Sequence, residues 1–244
     1  MSRLDYTIKM LASASSEYDN TIILWDFATR QPIGQPLTGH RWVTSLAFSP
    51  DSKMLVSGGF NGAVSLWDVS GHQLIEQPAI GPWAPVNGVA FSPDGRLLAW
   101  ADDLGEIIVW DMSRGKPMGQ PFGWPDLWVK SVAFSPDGRW LATGGASIPD
   151  NPIVLWDVTT HKPVIHPLVG HTDDVLSVAF NPDGALLASG SGDRTVRVWN
   201  IDPEAWQVRA CRVANRNLTR EEWQQYLGDE PYRPTCPNLP LPER

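Results

Sequence analysis

A Trp-Asp pair, or a close variant of it, recurs five times in this chain: Trp25-Asp26, Trp67-Asp68, Trp110-Asp111, Trp156-Asp157 and Trp199-Asn200. The intervals are 42, 43, 46 and 43 residues. Self-similarity at a fixed period marks a stack of supersecondary units, none of which can bury its apolar face alone. Chance does not produce four near-equal spacings. The pairs also account for five of the thirteen tryptophans, several times the usual number for a chain of 244 residues.

Each interval has the same internal grammar. An alternating apolar run comes first, as in Val43–Phe48 and Val175–Phe180. A turn follows, Ser92-Pro-Asp-Gly95, Ser135-Pro-Asp-Gly138 or Asn181-Pro-Asp-Gly184. Proline presets the first corner of such a turn, and glycine tolerates the left-handed one. A second short run (Leu97–Ala99, Leu186–Ala188) leads through a polar turn into a third, Ile107–Trp110 or Val196–Trp199. A Pro-bearing segment closes the unit: 31–36, 116–121 and 162–167. It reads as an edge strand, where proline is tolerated because one side of an edge needs no ladder hydrogen bond. Four short antiparallel strands per unit is the period of a propeller blade.

Dipeptide, period and turns together resemble the WD-repeat (WD40) β-propeller family over about residues 4–200. The resemblance implies an all-β propeller of about five blades, with an incomplete or irregularly closed ring. It also implies a structural tetrad in each blade: a Gly-His histidine, a second-strand Ser or Thr, a turn Asp and the third-strand Trp, joined by hydrogen bonds. The last unit carries all four as His171, Ser189, Asp193 and Trp199; the second carries His40, Ser57, Asn61 and Trp67, with Asn in the Asp place. The fourth has Thr143, Asp150 and Trp156, with Pro125 near the His position, and the first has Ser13, Asp19 and Trp25. In the third, Pro82 stands by the His position, Trp100 replaces the Ser and Leu104 the Asp, leaving Trp110. A half-paired buried polar network is costly, so the third blade is expected to rely on apolar packing.

The first unit starts late. Residues 1–9 fill the place of its innermost strand, and Leu4, Tyr6 and Ile8 alternate there as a replacement strand would. A late start codon or a frameshifted gene end leaves the same pattern. The family most often closes with seven blades. Five units leave either a tight five-blade ring or an open arc. An open arc exposes two blade faces of roughly 340 Å² each, about the largest apolar patch a soluble monomer tolerates. That favours an irregular or imperfectly closed five-blade arrangement, and it predicts self-association through open blade faces if the arc stays open.

Composition shifts after residue 200. Residues 1–200 read as the propeller, with a truncated first blade, and residues 201–244 as a C-terminal two-helix extension with a Pro-rich tail. Asp202-Pro203 starts a helix over about 204–214. Thr219-Arg-Glu-Glu222 is a capping box for a second helix ending near Leu227-Gly228. The segment Ala210–Thr219, with Trp223, Tyr226–Gly228 and Thr235-Cys-Pro237, resembles the closing segment of large bacterial WD-repeat signalling proteins. This second resemblance covers about 40 residues. It implies an upstream signalling domain in a longer parent protein and a natural end at residue 244. Cys211 and Cys236 both lie here. In a cytosol they are two reduced thiols, near neighbours in space; bonded, they would close a loop of about 25 residues and stabilise it by roughly 3.5 kcal/mol.

Nineteen basic against twenty-seven acidic residues give a net charge of −8. That argues against nucleic acid and anionic membranes as partners. No apolar run reaches the length of a membrane span and no secretory signal pattern is present, so a cytoplasmic location is expected. No cofactor and no metal are expected: His72, His161 and His166 lack ligand spacing, and Asp102-Asp103 and Asp173-Asp174 read as solvated turn residues. Arg209, Arg212, Arg216 and Arg220 form a basic stripe, read as a solvated helix face beside Glu204, Glu221 and Glu222. Hydrolase, phosphate-loop and Cys/His nucleophile motifs are missing.

The remaining functional signal is aromatic. Trp42, Trp83 and Trp128 precede the first strand of three successive blades, in a loop that opens on the top face in the family, as does the turn holding Tyr18 and Phe60. Such a face fits a protein or peptide ligand, because Trp and Tyr are enriched at binding hot spots; the competing role for these rings is to shield the rim. The expected function is therefore a non-catalytic binding scaffold or sensor. The alternatives are a propeller hydrolase with a channel-mouth site, which would need acid–base groups on the innermost strands, and a non-functional fragment of a larger WD-repeat protein.

Overall fold

The computed structural model describes residues 9–14, 20–39, 42–80, 84–124, 127–146, 151–165, 167–202, 211, 216–227, 234 and 236. Among these residues the strands form five antiparallel sheets in chain order. The first sheet holds β1 (Met10–Ala14), β2 (Thr21–Asp26) and β3 (Leu37–Thr38). The second holds β4 (Val43–Phe48), β5 (Met54–Gly59), β6 (Ala63–Asp68) and β7 (Gln73–Ile80). The third holds β8 (Val86–Phe91), β9 (Leu97–Asp102), β10 (Glu106–Asp111) and two short pieces, β11 (Lys116–Pro117) and β12 (Phe122–Gly123). The fourth holds β13 (Trp128–Phe134), β14 (Trp140–Ala146) and β15 (Ile153–Asp157), and the fifth β16 (Val175–Phe180), β17 (Leu186–Ser191) and β18 (Val196–Asn200).

The Pro-bearing fourth strand is broken where the sequence carries proline. Pro117 pairs with Trp110, and the ladder resumes only at Phe122. Pro32 and Pro163 make isolated bridges to Trp25 and Trp156. In the second sheet, where proline comes late, at Pro78, β7 continues for eight residues, with its register to β6 shifting between Glu76 and Ala79. Proline has no N–H to give to the ladder, which explains the difference.

The cores lie between sheets. Ile22, Leu24 and Leu37 of the first sheet close on Leu55 and Trp67 of the second. Val56, Val64 and Leu66 close on Leu98, Trp100 and Trp110 of the third. Ile107 and Val109 meet Leu141 and Trp156, and Ile153 and Leu155 meet Val175 and Leu187. Each sheet therefore has two different faces, one of aliphatic residues toward the following sheet and one bearing the Trp toward the preceding sheet. Sheets on this plan stack in one direction.

Polar links stitch the sheets together at the innermost strands. The register of β4, β8, β13 and β16 slips by one residue at Thr44, Asn87, Lys130 and Leu176. A bulge of this kind re-aims one side chain. Here the Thr44 hydroxyl reaches the Val86 carbonyl, and Asn87 Nδ2 donates to the Val129 carbonyl at 3.1 Å. The next hydroxyl along accepts from the following sheet: Ser45 from the Val89 N–H and Ser131 from the Val178 N–H, both at 3.2 Å. At the opposite end of the strands the turns stack. Pro50, Pro93 and Pro136 lie 3.6, 3.7 and 3.3 Å from where a Cβ would stand on Gly95, Gly138 and Gly184 of the next turn. Each of these glycines is in the left-handed region the turn needs.

Among the described residues the packing runs from the first sheet to the fifth with no closed ring, and the propeller they form is incomplete. The exposure of equivalent side chains marks the gap. Val64, Ile107 and Ile153 are fully buried between sheets, while their counterpart Val196 is 74% exposed. The replacement strand expected around Leu4, Tyr6 and Ile8 lies outside the described residues.

Beyond the propeller, α1 (Arg220–Leu227) begins at a reciprocal cap. Thr219 Oγ1 accepts from the Glu222 N–H, and a Glu222 carboxylate oxygen accepts from the Thr219 N–H. The same carboxylate takes two bonds from Arg216 at 2.6 and 2.7 Å, so one member of the basic stripe is spent within the extension. The helix expected over 204–214 lies outside the described residues apart from Cys211. That cysteine forms a disulfide with Cys236, with Cα atoms 5.5 Å apart, which corrects the expectation of reduced thiols. Buried Asn217 accepts from the Cys236 N–H at 2.6 Å and so fixes that cysteine in place.

Candidate functional site

Trp42 and Phe60 come together at one end of the second sheet. Trp42 precedes β4 and Phe60 follows β5, so antiparallel pairing places both at the same strand ends. The Phe60 N–H donates to the Trp42 carbonyl, and the rings meet edge to face with centroids 5.8 Å apart. Both remain exposed, Trp42 by 48% and Phe60 by 54%. Trp42 has φ of 51°, a region a bulky residue rarely adopts. Asn20 Oδ1 holds it there by accepting from the Trp42 N–H at 3.0 Å. Strain of this kind persists only where surrounding contacts hold it, and it concentrates at functional sites.

Trp128 opens β13 at the same end of the fourth sheet and is 55% exposed; among the described residues its ring stacks on no other. Trp83 and Tyr18 lie outside the described residues. Sequence reasoning missed Leu104 and Val169, which are exposed by 61% and 53% at the same strand ends. Leu104 carried a usable signal, since an apolar residue stands where the equivalent turns have Asn61 and Asp193.

The polar network of the fifth sheet is continuous. Trp199 Nε1 donates to Ser189 Oγ, Ser189 Oγ meets His171 Nε2, and His171 Nδ1 meets an Asp193 carboxylate oxygen, each at 2.8 Å. A carboxylate only accepts, so Nδ1 carries a proton and donates it to Asp193. The Thr195 hydroxyl, and after it His171, hold the Asp193 carboxyl well below the usual range. The indole-to-hydroxyl bond recurs as Trp25 to Ser13, Trp67 to Ser57 and Trp156 to Thr143, at 2.8, 2.8 and 2.9 Å. Asn61 Oδ1 accepts from the Ala63 N–H. His40, Asp19, Asp150, Pro82 and Pro125 lie outside the described residues. In the third sheet Trp100 takes the hydroxyl's place, buried with its ring 5.9 Å from that of Trp110.

Two carboxylates depart from the solvated-turn reading. Asp102 is buried, and one of its oxygens accepts from the Leu104 and Glu106 N–H groups; burial pushes its pKa up. Asp103 pairs with Lys130 Nζ at 2.9 Å and accepts from Asn87 at 2.5 Å. These charges at the inner rim bond one another across two sheets. Among the described residues no group of three His, Cys, Asp or Glu could hold a metal ion. His161 stacks on Phe122 with centroids 4.2 Å apart; its Nε2 is buried without a hydrogen bond, and burial lowers its pKa. Among the described residues no helix is long and apolar enough to cross a membrane.

The family model for WD domain, G-beta repeat matches residues 30–68, 79–111, 116–157 and 162–200. The chain is 43% identical over 60 residues to WD repeat and SOCS box-containing protein 1 of Homo sapiens, a stretch covering 24% of this chain and 14% of that protein. It is 39% identical over 62 residues to Ribosome assembly protein 4 of Saccharomyces cerevisiae, covering 25% and 12%. It is 38% identical over 56 residues to Periodic tryptophan protein 2 homolog of Schizosaccharomyces pombe, covering 23% and 7%. The chain thus spans a small part of each of these relatives, and all three are eukaryotic, so they lend no support to a bacterial placement. The four matched stretches take in more than half of the residues and coincide with the second to fifth sheets, and the chain belongs to the WD40 repeat family.

Proposed function

We propose that this protein is a non-catalytic docking platform that captures a protein or peptide segment on the face bearing Trp42, Phe60 and Trp128. The exposed Trp42–Phe60 pair carries the reading. Two aromatic rings stand in solvent, and the Trp backbone is held in a costly conformation by Asn20. A ring whose only task is to seal the rim needs no such arrangement. Leu104 and Val169 extend the apolar surface along the same edge. Trp83 and Tyr18 are proposed to belong to it. The inner-rim carboxylates support a binding role over hydrolysis, because Asp103 is neutralised by Lys130 and Asp102 is committed to backbone donors.

The finer placement rests on the C-terminal segment. Its pattern supports a sensor role beside an upstream domain in a bacterial signalling protein. The expected cytoplasmic location stands against the Cys211–Cys236 disulfide, which fits an oxidising compartment better.

Panning a displayed peptide library against the whole chain tests the docking reading. Selected peptides should lose about 30-fold in affinity on Trp42→Ala, as expected for a hot-spot aromatic, while the melting temperature stays unchanged. Peptides that bind Trp42→Ala, Phe60→Ala and Trp128→Ala as well as the parent chain would refute it. So would a lowered melting temperature with unaltered binding.

A further inference from the structure

At two junctions a histidine ring of one sheet is seated on a glycine of the sheet before it. His72 and His161 stand four residues after the Asp of a Trp-Asp pair, and both take left-handed backbone, with φ of 51° and 60°. Gly34 of the first sheet and Gly119 of the third stand eight residues after the equivalent Asp. An added Cβ on Gly34 would strike the His72 ring, and one on Gly119 would lie 2.9 Å from His161 Cε1. Between the second and third sheets the small residue changes sides, with Gly115 in the His place and Glu76 in the Gly place. Each of the two histidines thus comes with a glycine that makes room for it.

The two rings differ in their polar surroundings. His72 Nδ1 lies 3.2 Å from the Gln35 carbonyl oxygen. A carbonyl only accepts, so Nδ1 holds a proton there, and the bond serves the neutral ring and the cation alike. His161 stacks instead on Phe122, with centroids 4.2 Å apart and 17° between the planes. Its Nε2 is buried and has no hydrogen-bond partner among the described residues. A bare lone pair is tolerable in such a place, whereas a charged N–H with no acceptor is costly. Phe122 belongs to β12, the resumed edge strand, where it pairs with Ile107. Its ring also meets Trp156 edge to face, with centroids 5.5 Å apart. The outer edge of the third sheet is therefore held on the fourth by a Phe122 clasped between His161 and Trp156.

We infer that His161 is a pH-sensitive latch, whose protonation frees Phe122 and β12 from the fourth sheet. The third sheet meets the ring through Gly119 and Phe122, and neither carries a charge. On its own turn Asp157 favours the cation, and Arg139, paired with Asp157 at 4.0 Å, weakens that pull. The other cations of these two segments are Lys162, next in the chain, and Lys116 of β11. Burial of the ring outweighs Asp157 and lowers its pKa below the ordinary 6.5. A docked ring that resists protonation and a released ring that accepts it make docking complete above pH 6.5 and progressively weaker as the pH falls below it. With the docked ring kept neutral, the opening equilibrium rises about 10-fold between about pH 7.5 and about pH 5.5. Opening uncovers Phe122 and the Trp156 ring on which Phe122 and Trp124 rest.

Hydrogen exchange of the whole chain tests this, read by mass spectrometry over residues 116–124 at about pH 7.5 and about pH 5.5 and corrected for the intrinsic exchange rate. The opening constant of the parent should rise about 10-fold at the lower pH. His161→Phe keeps the stack and cannot titrate, so its opening constant should change by less than about 2-fold. His161→Asn suits the left-handed backbone but lacks the ring, and should open alike at both pH values. Proton NMR of the imidazole should place the His161 midpoint below 6.5. A parent whose opening constant does not rise overturns the inference. So does a rise of the parent's size in His161→Phe or His161→Asn, or a His161 midpoint at or above 6.5.

Discussion

Replacing Thr143 with Val removes one oxygen from the middle of the fourth sheet and little else. Thr143 is fully buried, and its hydroxyl accepts from Trp156 Nε1 at 2.9 Å; Trp156 is 2% exposed. Valine keeps the shape, so no cavity opens. The indole N–H then has no acceptor and no water, at a cost of about 1–3 kcal/mol. A buried methyl in place of the hydroxyl returns up to about 1 kcal/mol. The net loss is about 1–2 kcal/mol, which for a chain of this length lowers the melting temperature by roughly 2–8 °C. Ser13→Ala removes the same bond to Trp25, at 2.8 Å, but at the exposed end of the arc. Water replaces the serine oxygen there, and the change should stay within about 0.5 kcal/mol. Thermal and urea unfolding, each followed by tryptophan fluorescence and circular dichroism, read both variants. Equal losses for Thr143→Val and Ser13→Ala would refute the claim that burial decides what this repeated bond contributes.

Gly144→Ala pushes a methyl to 2.6 Å from Val175 of the next sheet and should cost about 1–3 kcal/mol, whereas Gly190→Ala enters open space and should leave the unfolding free energy from urea titration within about 0.5 kcal/mol of the parent. The Arg216 guanidinium draws the Glu222 carboxyl from 4.5 to about 2, so its contribution is complete above pH 4.5 and lost as the pH falls from there toward 2. Glu222→Gln should therefore flatten part of the acid limb of stability plotted against pH, without altering the neutral plateau's slope. Cys211→Ser opens a loop of 25 residues and should destabilise the C-terminal segment by roughly 3.5 kcal/mol, read as faster hydrogen exchange over residues 216–227 with the sheets unaffected.

The spacing of the Trp-Asp pairs was enough to place all five sheets, because a repeat reports one junction several times over. The turns and the Thr219 cap were legible for a local reason, each partner lying within a few residues of the other, while the Trp–hydroxyl pairs came from the family resemblance. What escaped the sequence depends on a neighbour from elsewhere. Asp102 reads as a solvated turn residue, but the packing around the third sheet buries it, and its own turn supplies the two donors its carboxylate then needs. The reduced-thiol expectation followed from an assumed compartment, and the geometry around Asn217 decided otherwise. Leu104 was noted only as a lost acid, although its exposure makes it part of the rim.

Openness itself is the least local property of all. Val64, Ile153 and Val196 occupy the same place in their units and differ little in chemistry, yet two are fully buried and one is three-quarters exposed. Residues 175–200 retain the strand pattern, the bulge and the serine linker of the preceding unit. A surface built to be covered and left bare is unfavourable by the same hydrophobic term that holds the other sheets together. The fifth sheet therefore carries a specificity already written into the chain: it fits a Trp-bearing sheet face, as the equivalent faces of the four preceding sheets do.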